Sequence, residues 1–141
     1  MPAINRSALV MRSAADMYQL INDVVKYPEF LPGCSDAKII SHNSDSMVAS
    51  LKIAKGGVQK WFTTKNTLVD GQKVIMQLHD GPFKKLQGYW QLTPLSSDAC
   101  KIELTLDYEF SSKIIELAFG RVFDSVANSM VSAFTQRAKQ V

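Results

Sequence analysis

The stretch Ser112–Lys139 constrains this chain more than any other. Ile115, Phe119, Val122, Phe123, Val126, Met130, Ala133 and Phe134 recur at helical spacing and predict one long amphipathic helix. Ser112 stands where a cap belongs, Glu116 falls in the first turn, and Arg137 and Lys139 fall near the end that favours cations. At about 1.5 Å per residue the helix is roughly 40 Å long, as long as a small domain is wide. A helix is held mainly by packing of its apolar stripe, so the rest of the chain must supply a large apolar surface. Gly120 in mid-helix costs about 1 kcal/mol relative to alanine and points to close packing or a bend.

The partner surface is read in the preceding residues. Ala3–Met11 is β-compatible and predicts a first strand. Ser13 is placed to cap a short helix, Ala14–Val25, whose stripe is Met17, Leu20, Ile21 and Val24. Tyr27-Pro28-Glu29-Phe30-Leu31-Pro32-Gly33-Cys34 then forms an apolar, proline-stiffened connector, unusual because connectors are ordinarily polar. It reads either as a lid packed permanently over the core or as the wall of a cavity mouth. From Ser35 the period changes to two. Turn signals at Asn43-Ser44-Asp45, Gly56-Gly57, Asp70-Gly71, Asp80-Gly81-Pro82 and Ser96-Ser97-Asp98 separate strands at about 35–42, 46–55, 58–69, 72–79, 84–95 and 99–110. In the last, Cys100, Ile102, Leu104, Leu106, Tyr108 and Phe110 alternate with polar residues, giving one buried and one wet face. The expectation is a single α+β domain over residues 1–141: a curved seven-stranded antiparallel sheet wrapped around the long C-terminal helix.

Composition narrows the class. The chain has 141 residues, 46% hydrophobic and 21% charged, as in an ordinary folded domain. No apolar run is long enough to span a bilayer, and the N-terminal residues lack the pattern of a secretory signal. Cys34 and Cys100, far apart, make neither a disulfide framework nor a metal motif, and a cytoplasmic location is expected. Residues 50–90 hold Lys52, Lys55, Lys60, Lys65, Lys73, Lys84 and Lys85 against only Asp70 and Asp80. Such a basic sector either faces nucleic acid or an anionic membrane surface, or simply keeps outward strand positions soluble.

Catalytic constellations are nearly absent. His42 and His79 sit beside different turns, and His79 and Asp80, as strand neighbours, point to opposite faces. No metalloprotease, nucleophile-elbow, phosphate-loop or dinucleotide motif occurs, and no metal site is expected. The conspicuous residues are aromatic: Tyr27, Phe30, Trp61, Phe83, Tyr89, Trp90, Phe119, Phe123 and Phe134. They suit the wall of a hydrophobic ligand site, and equally a filled core.

Four motifs carry a resemblance along nearly the whole chain. Tyr27-Pro28-Glu29-Phe30-Leu31-Pro32-Gly33-Cys34, Phe62-Thr63-Thr64-Lys65-Asn66, Asp80-Gly81-Pro82-Phe83-Lys84-Lys85-Leu86 and Leu117-Ala118-Phe119-Gly120-Arg121-Val122-Phe123 resemble the coenzyme Q-binding protein and ribosome association toxin family. That family belongs to the START-like (polyketide cyclase/dehydrase) superfamily. The resemblance implies a helix-grip fold whose last helix closes a hydrophobic cavity. It also implies two activities: ubiquinone binding in support of respiration, and binding to the large ribosomal subunit that blocks subunit joining. The superfamily's cyclases supply a third reading, for which this chain offers no acid–base residues.

The leading expectation is therefore a non-catalytic carrier or chaperone for ubiquinone or a related polyprenyl lipid, with no required cofactor. Tyr27, Phe30 and Leu31 are expected to guard the entrance, and Trp90, Phe119, Phe123 and Val126 to form the wall. Trp61, Leu78, Phe83, Leu86 and Phe134 complete the candidate lining, with Tyr89 or Asn66 as polar anchors. The alternative, a ribosome-binding translation inhibitor, places Lys52, Lys55, Lys60, Lys84 and Lys85 against ribosomal RNA. Transient contact with the inner membrane surface is an expected further interaction, and DNA is not an expected partner.

Overall fold

A computed structural model describes residues 3–140; residues 1, 2 and 141 of the expected 1–141 domain lie outside that range. Strand β1 (Ala3–Val10) leads into helix α1 (Ala14–Asn22) and a 3-10 helix (Val24–Glu29). Strands β2 (Cys34–His42), β3 (Ser46–Lys55), β4 (Val58–Val69), β5 (Lys73–Asp80), β6 (Phe83–Ser96) and β7 (Ala99–Phe110) follow as a meander. Helix α2 (Lys113–Ala138) ends the chain. The seven strands form one antiparallel sheet in the order β1-β7-β6-β5-β4-β3-β2.

Register shifts break the ladders between Cys34 and Asp36, Ile39 and Ser41, Thr63 and Thr64, Phe83 and Lys85, and Pro94 and Ser96. Bulges add local twist and bend, and these curl the sheet around α2. Gly88 sits where β6 lies closest to β7. A Cβ there would stand 2.1 Å from the Thr105 carbonyl oxygen, so no side chain fits.

The long helix forms as its stripe requires. Ser112 Oγ accepts from the Ile115 N–H at 3.2 Å, and Phe119, Phe123, Val126, Ala127, Val131 and Phe134 are buried against the concave face. Gly120 is buried too, but a Cβ there would meet Phe110 at 3.5 Å, an ordinary contact. Close packing does not require a glycine at this position.

The first helix is shorter than its stripe predicts. It stops at Asn22; the Asp23 N–H turns back to the Leu20 carbonyl, and the chain continues as the 3-10 helix through Val25 to Glu29. Pro28 lacks the N–H that a longer α-helix would use there. The apolar connector is thus partly helical. Gly33 follows it at φ +86°, and a Cβ there would come within 2.5 Å of Val126 Cγ2 on α2. Left-handed backbone and lack of space both demand glycine.

Candidate functional site: an apolar cavity beneath the long helix

Between the concave face and the middle of α2 lies an apolar cavity of about 70 Å³. Strand β3 contributes Ala49, Leu51 and Ile53; β4 contributes Phe62, Thr64 and Asn66; β5 contributes Met76. The opposite side is made by Leu86, Trp90, Leu104 and Leu106 of β6 and β7, and the roof by Phe123, Val126, Ala127 and Met130 of α2. Val24, Tyr27 and Leu31 close the third side from the 3-10 segment. The hollow persists because the small Ala49 and Ala127 sit among the aliphatic and aromatic side chains of the wall, leaving too few atoms to fill the width.

Two polar side chains enter this apolar wall. Asn66 is buried, and its amide bonds the Thr64 hydroxyl at 2.9 Å, two residues away on the same face of β4. Whichever way the amide is turned, one end serves Thr64 and the other has no hydrogen-bond partner among the described residues. The site therefore offers one localised polar contact in a hydrophobic enclosure. Tyr27 offers none, because its buried hydroxyl donates to the Ile21 carbonyl. Burial, foremost, pushes its phenol far above the ordinary range and keeps it neutral. The Cys34 thiol, also buried, is pushed up to about 11.

The 3-10 segment is pinned to the far end of α2. Arg137 Nη2 donates to Glu29 at 2.9 Å, and its guanidinium lies 5.1 Å from the Phe30 ring. Phe134 meets Tyr27 edge-on at 5.2 Å and Phe30 at 5.0 Å. The Arg137 guanidinium, aided by Lys26, holds the Glu29 carboxyl below its usual range. Arg137 Nε is buried without a partner among the described residues.

Of the twelve residues considered for a ligand site, Tyr27, Leu31, Leu86, Trp90, Phe123 and Val126 line this cavity. The other six do not. Trp61 alternates with the concave-facing Phe62, so it emerges on the outer face, 39% exposed, beneath the Lys38 ammonium. Phe83 and Phe119 are buried in a ring cluster with Tyr108, Phe110 and Phe123, and fill space instead of bounding it. Phe30 follows the 3-10 segment and packs against Phe134 of α2, and Leu78 packs against the core without reaching the cavity. Of the two anchors considered, Asn66 lines the cavity, whereas Tyr89 faces outward with Lys73 4.4 Å from its ring. Residue type alone missed Val24, Ala49, Leu51, Ile53, Phe62, Thr64, Met76, Leu104, Leu106, Ala127 and Met130; period two along β3, β4 and β7 carried most of them.

The five lysines considered for RNA do not form one surface. Lys52 lies on the outer face beside Trp61, while Lys55 and Lys60 share the parity of Ile53 and Phe62 at the tip of the β3–β4 hairpin. Lys84 and Lys85 pair with Glu109 and Asp107 at 3.6 and 3.0 Å. His42 and His79 are exposed at separate turns. Among the described residues no cluster of His, Cys, Asp or Glu has the makings of a metal site, and no helix is long and apolar enough to cross a membrane.

A curved antiparallel sheet gripping one long helix over an apolar cavity is a START-like helix-grip fold, and the chain belongs to the family described as polyketide cyclase/dehydrase and lipid transport, whose model matches residues 10–135. Within it the chain falls in the branch of ribosome association toxins and coenzyme Q-binding proteins. It is 56% identical to the persistence and stress-resistance toxin PasT of Escherichia coli O6:H1 and 55% identical to the ribosome association toxin RatA of Escherichia coli K12. Each match spans 100% of this chain and 89% of the relative. A mitochondrial coenzyme Q-binding protein of Drosophila melanogaster is 27% identical over 96% of this chain and 57% of its own length. The fold superposes on a Thermus thermophilus crystal structure with a TM-score of 0.84 at 14% identity, covering 99% and 98% of the two chains. A Streptomyces aromatase/cyclase superposes at 0.81 with 17% identity, covering 99% and 94%.

Proposed function

We propose that this protein is a non-catalytic binding protein for a slender hydrophobic ligand of the polyprenyl-quinone class, acting as a carrier or chaperone in respiration. The observation that carries this reading is the cavity itself: apolar walls from seven elements, with the Thr64–Asn66 pair as the one polar contact for a quinone oxygen. The name of the Drosophila relative supports the ligand class. A cavity of about 70 Å³ suits part of an isoprenoid chain, so a complete ligand extends past the lid or spreads α2 from the sheet. Loading and delivery take place from the cytoplasm, with transient contact at the inner membrane surface. Mass spectrometry of lipid extracted from natively purified protein tests this. The expected result is a stoichiometric polyprenyl quinone; an empty extract together with no response of Trp90 to added quinone contradicts it.

A second reading is favoured by a separate observation. The relatives that share 54–56% of residues over all of this chain carry the names of ribosome association or persistence toxins. On this reading the protein binds the large ribosomal subunit and inhibits translation by blocking subunit joining. It uses the outer surface and leaves the cavity free, so the two readings are compatible. Co-sedimentation of wild-type protein with purified large subunits at low salt is the expected outcome, and absence of any co-sedimentation contradicts it. A cyclase reading has behind it the description of the family, which also covers lipid transport, and a fold shared at 17% identity, which carries no activity.

A further inference from the structure

The outer face of the sheet is electrostatically divided. On β6 and β7 every outward or adjacent lysine is neutralised: Lys84 by Glu109, Lys85 by Asp107 and Lys101 by Glu103. On β2 to β5 the pattern is reversed. Lys38, Lys52, Lys65 and Lys73 face outward, and none has an ion-pair partner among the described residues. Asp36, opposite Lys52, is turned to its own backbone, where Oδ1 accepts from the Ala37 N–H at 2.8 Å. Two aromatic rings stand among these lysines. Lys38 lies 4.8 Å from the ring of Trp61 and Lys73 4.4 Å from that of Tyr89. Between them the hydroxyls of Ser50 and Thr63, both buried, bond each other at 2.6 Å beneath the long side chains.

We propose that this half of the outer face, centred on Lys38, Lys52, Trp61, Lys65 and Lys73, is a binding surface for ribosomal RNA. The inference rests on the ribosome-association reading and gives it a location. Unpaired ammonium groups serve phosphates, and an exposed ring offers a stacking platform for a base, the combination by which open sheets hold single-stranded nucleic acid. An anionic membrane would use the same charge, but it favours protruding aliphatic groups, and the aliphatic residues at the centre of this face, Val48 and Ile75, are half-buried beside the exposed Thr67 and Gln77. The surface replaces Lys84 and Lys85, whose carboxylate partners already occupy them.

The test compares three proteins for co-sedimentation with purified large ribosomal subunits across a salt series: wild type, K38Q/K52Q/K65Q/K73Q, and K84Q/K85Q. The expected result is loss of at least about ten-fold in affinity for the quadruple variant, and a slope of log K against log salt smaller by about 3. The double variant retains wild-type binding. Trp61→Ala, a change at an exposed ring that leaves the fold intact, weakens binding about five-fold or more, and Trp61→Phe restores most of it. Equal thermal melting of all variants establishes that they fold. Wild-type binding that the quadruple variant and Trp61→Ala leave unchanged overturns this surface while the ribosome reading stands. No binding by wild type overturns both. Capture by phosphatidylglycerol vesicles through the same four lysines, without subunit binding, assigns the face to membrane and likewise overturns the proposal.

Discussion

The two halves of the space beneath α2 are built from the same face of the same sheet, yet one is solid and the other hollow. Under the first turns of the helix, Phe83, Tyr108, Phe110, Phe119 and Phe123 interlock, with centroids 4.8 Å apart for Tyr108–Phe123, 4.9 Å for Phe83–Phe123 and 5.3 Å for Phe83–Phe110. Under the middle of the helix Tyr27, Phe62, Trp90 and Phe123 stand at the border, Ala49, Leu51, Ile53, Met76, Leu104, Val126 and Ala127 lie between them, and a cavity remains. Rings meeting edge to face fill a curved interface efficiently. Alanines facing aliphatic side chains do not. The lesson is that rings close this grip where they interlock, and that it stays open where alanines and aliphatic side chains separate them.

Substitutions that treat the halves differently sharpen the contrast. Phe119 is fully buried in the solid half, so Phe119→Ala is expected to cost about 3–5 kcal/mol in urea unfolding. Met130→Ala, at the half-buried rim of the hollow, is expected to cost no more than about 2 kcal/mol. Equal losses would break the distinction. At the boundary, Gly33→Ala forces a side chain into left-handed backbone and against Val126, costing about 1–3 kcal/mol in thermal melts. Val126→Ala in the same chain is expected to return part of that loss.

Two buried phenols, Tyr108 in the solid half and Tyr27 beside the hollow, set the alkaline limit of stability. Burial, then the bond to Asp124, holds the Tyr108 phenol above its ordinary value, and burial does the same for Tyr27. A raised folded-state value means that the contribution is complete below the ordinary tyrosine value of about 10 and is lost as pH rises beyond it. Melting temperature is therefore expected to fall steadily above about pH 10. Tyr108→Phe removes the Asp124 bond, costs about 1 kcal/mol at neutral pH and flattens that alkaline decline. A smaller effect of opposite sign is expected at Gly120, where a methyl group meets ordinary contacts. Gly120→Ala raises stability by up to about 1 kcal/mol, measured by the same melts.

Much of the fold was legible in the sequence because its signals are local. The turn dipeptides and period-two runs placed β3, β4 and β7 at their observed bounds, and Ser112 placed the start of α2. The end of α1 was not legible from its stripe, which continues through Val24 into a segment that winds as a 3-10 helix. Of the residues that line the cavity, the sequence pointed to fewer than half. Trp61 and Tyr89 drew attention as aromatics, although their alternation with Phe62 and Trp90 already set them on the opposite face. Ala49 and Thr64 are small, and residue type alone does not mark them as cavity lining. The basic sector was legible as a charge sum, but the pairing of Lys84 and Lys85 depends on β7, a partner distant in sequence.

The central claim is that the hollow half holds a hydrophobic ligand. Trp90 is 1% exposed and lines the cavity, whereas Trp61 lies outside it, so a Trp61→Phe protein reports on the cavity through Trp90 alone. Titration of that protein with a short-chain ubiquinone is predicted to quench Trp90 emission saturably at one ligand per chain. Filling the hollow by Ala127→Phe is predicted to abolish the response while the protein still melts cooperatively. Emission that stays constant on titration, or quenching that persists undiminished in the Ala127→Phe protein, would contradict the account.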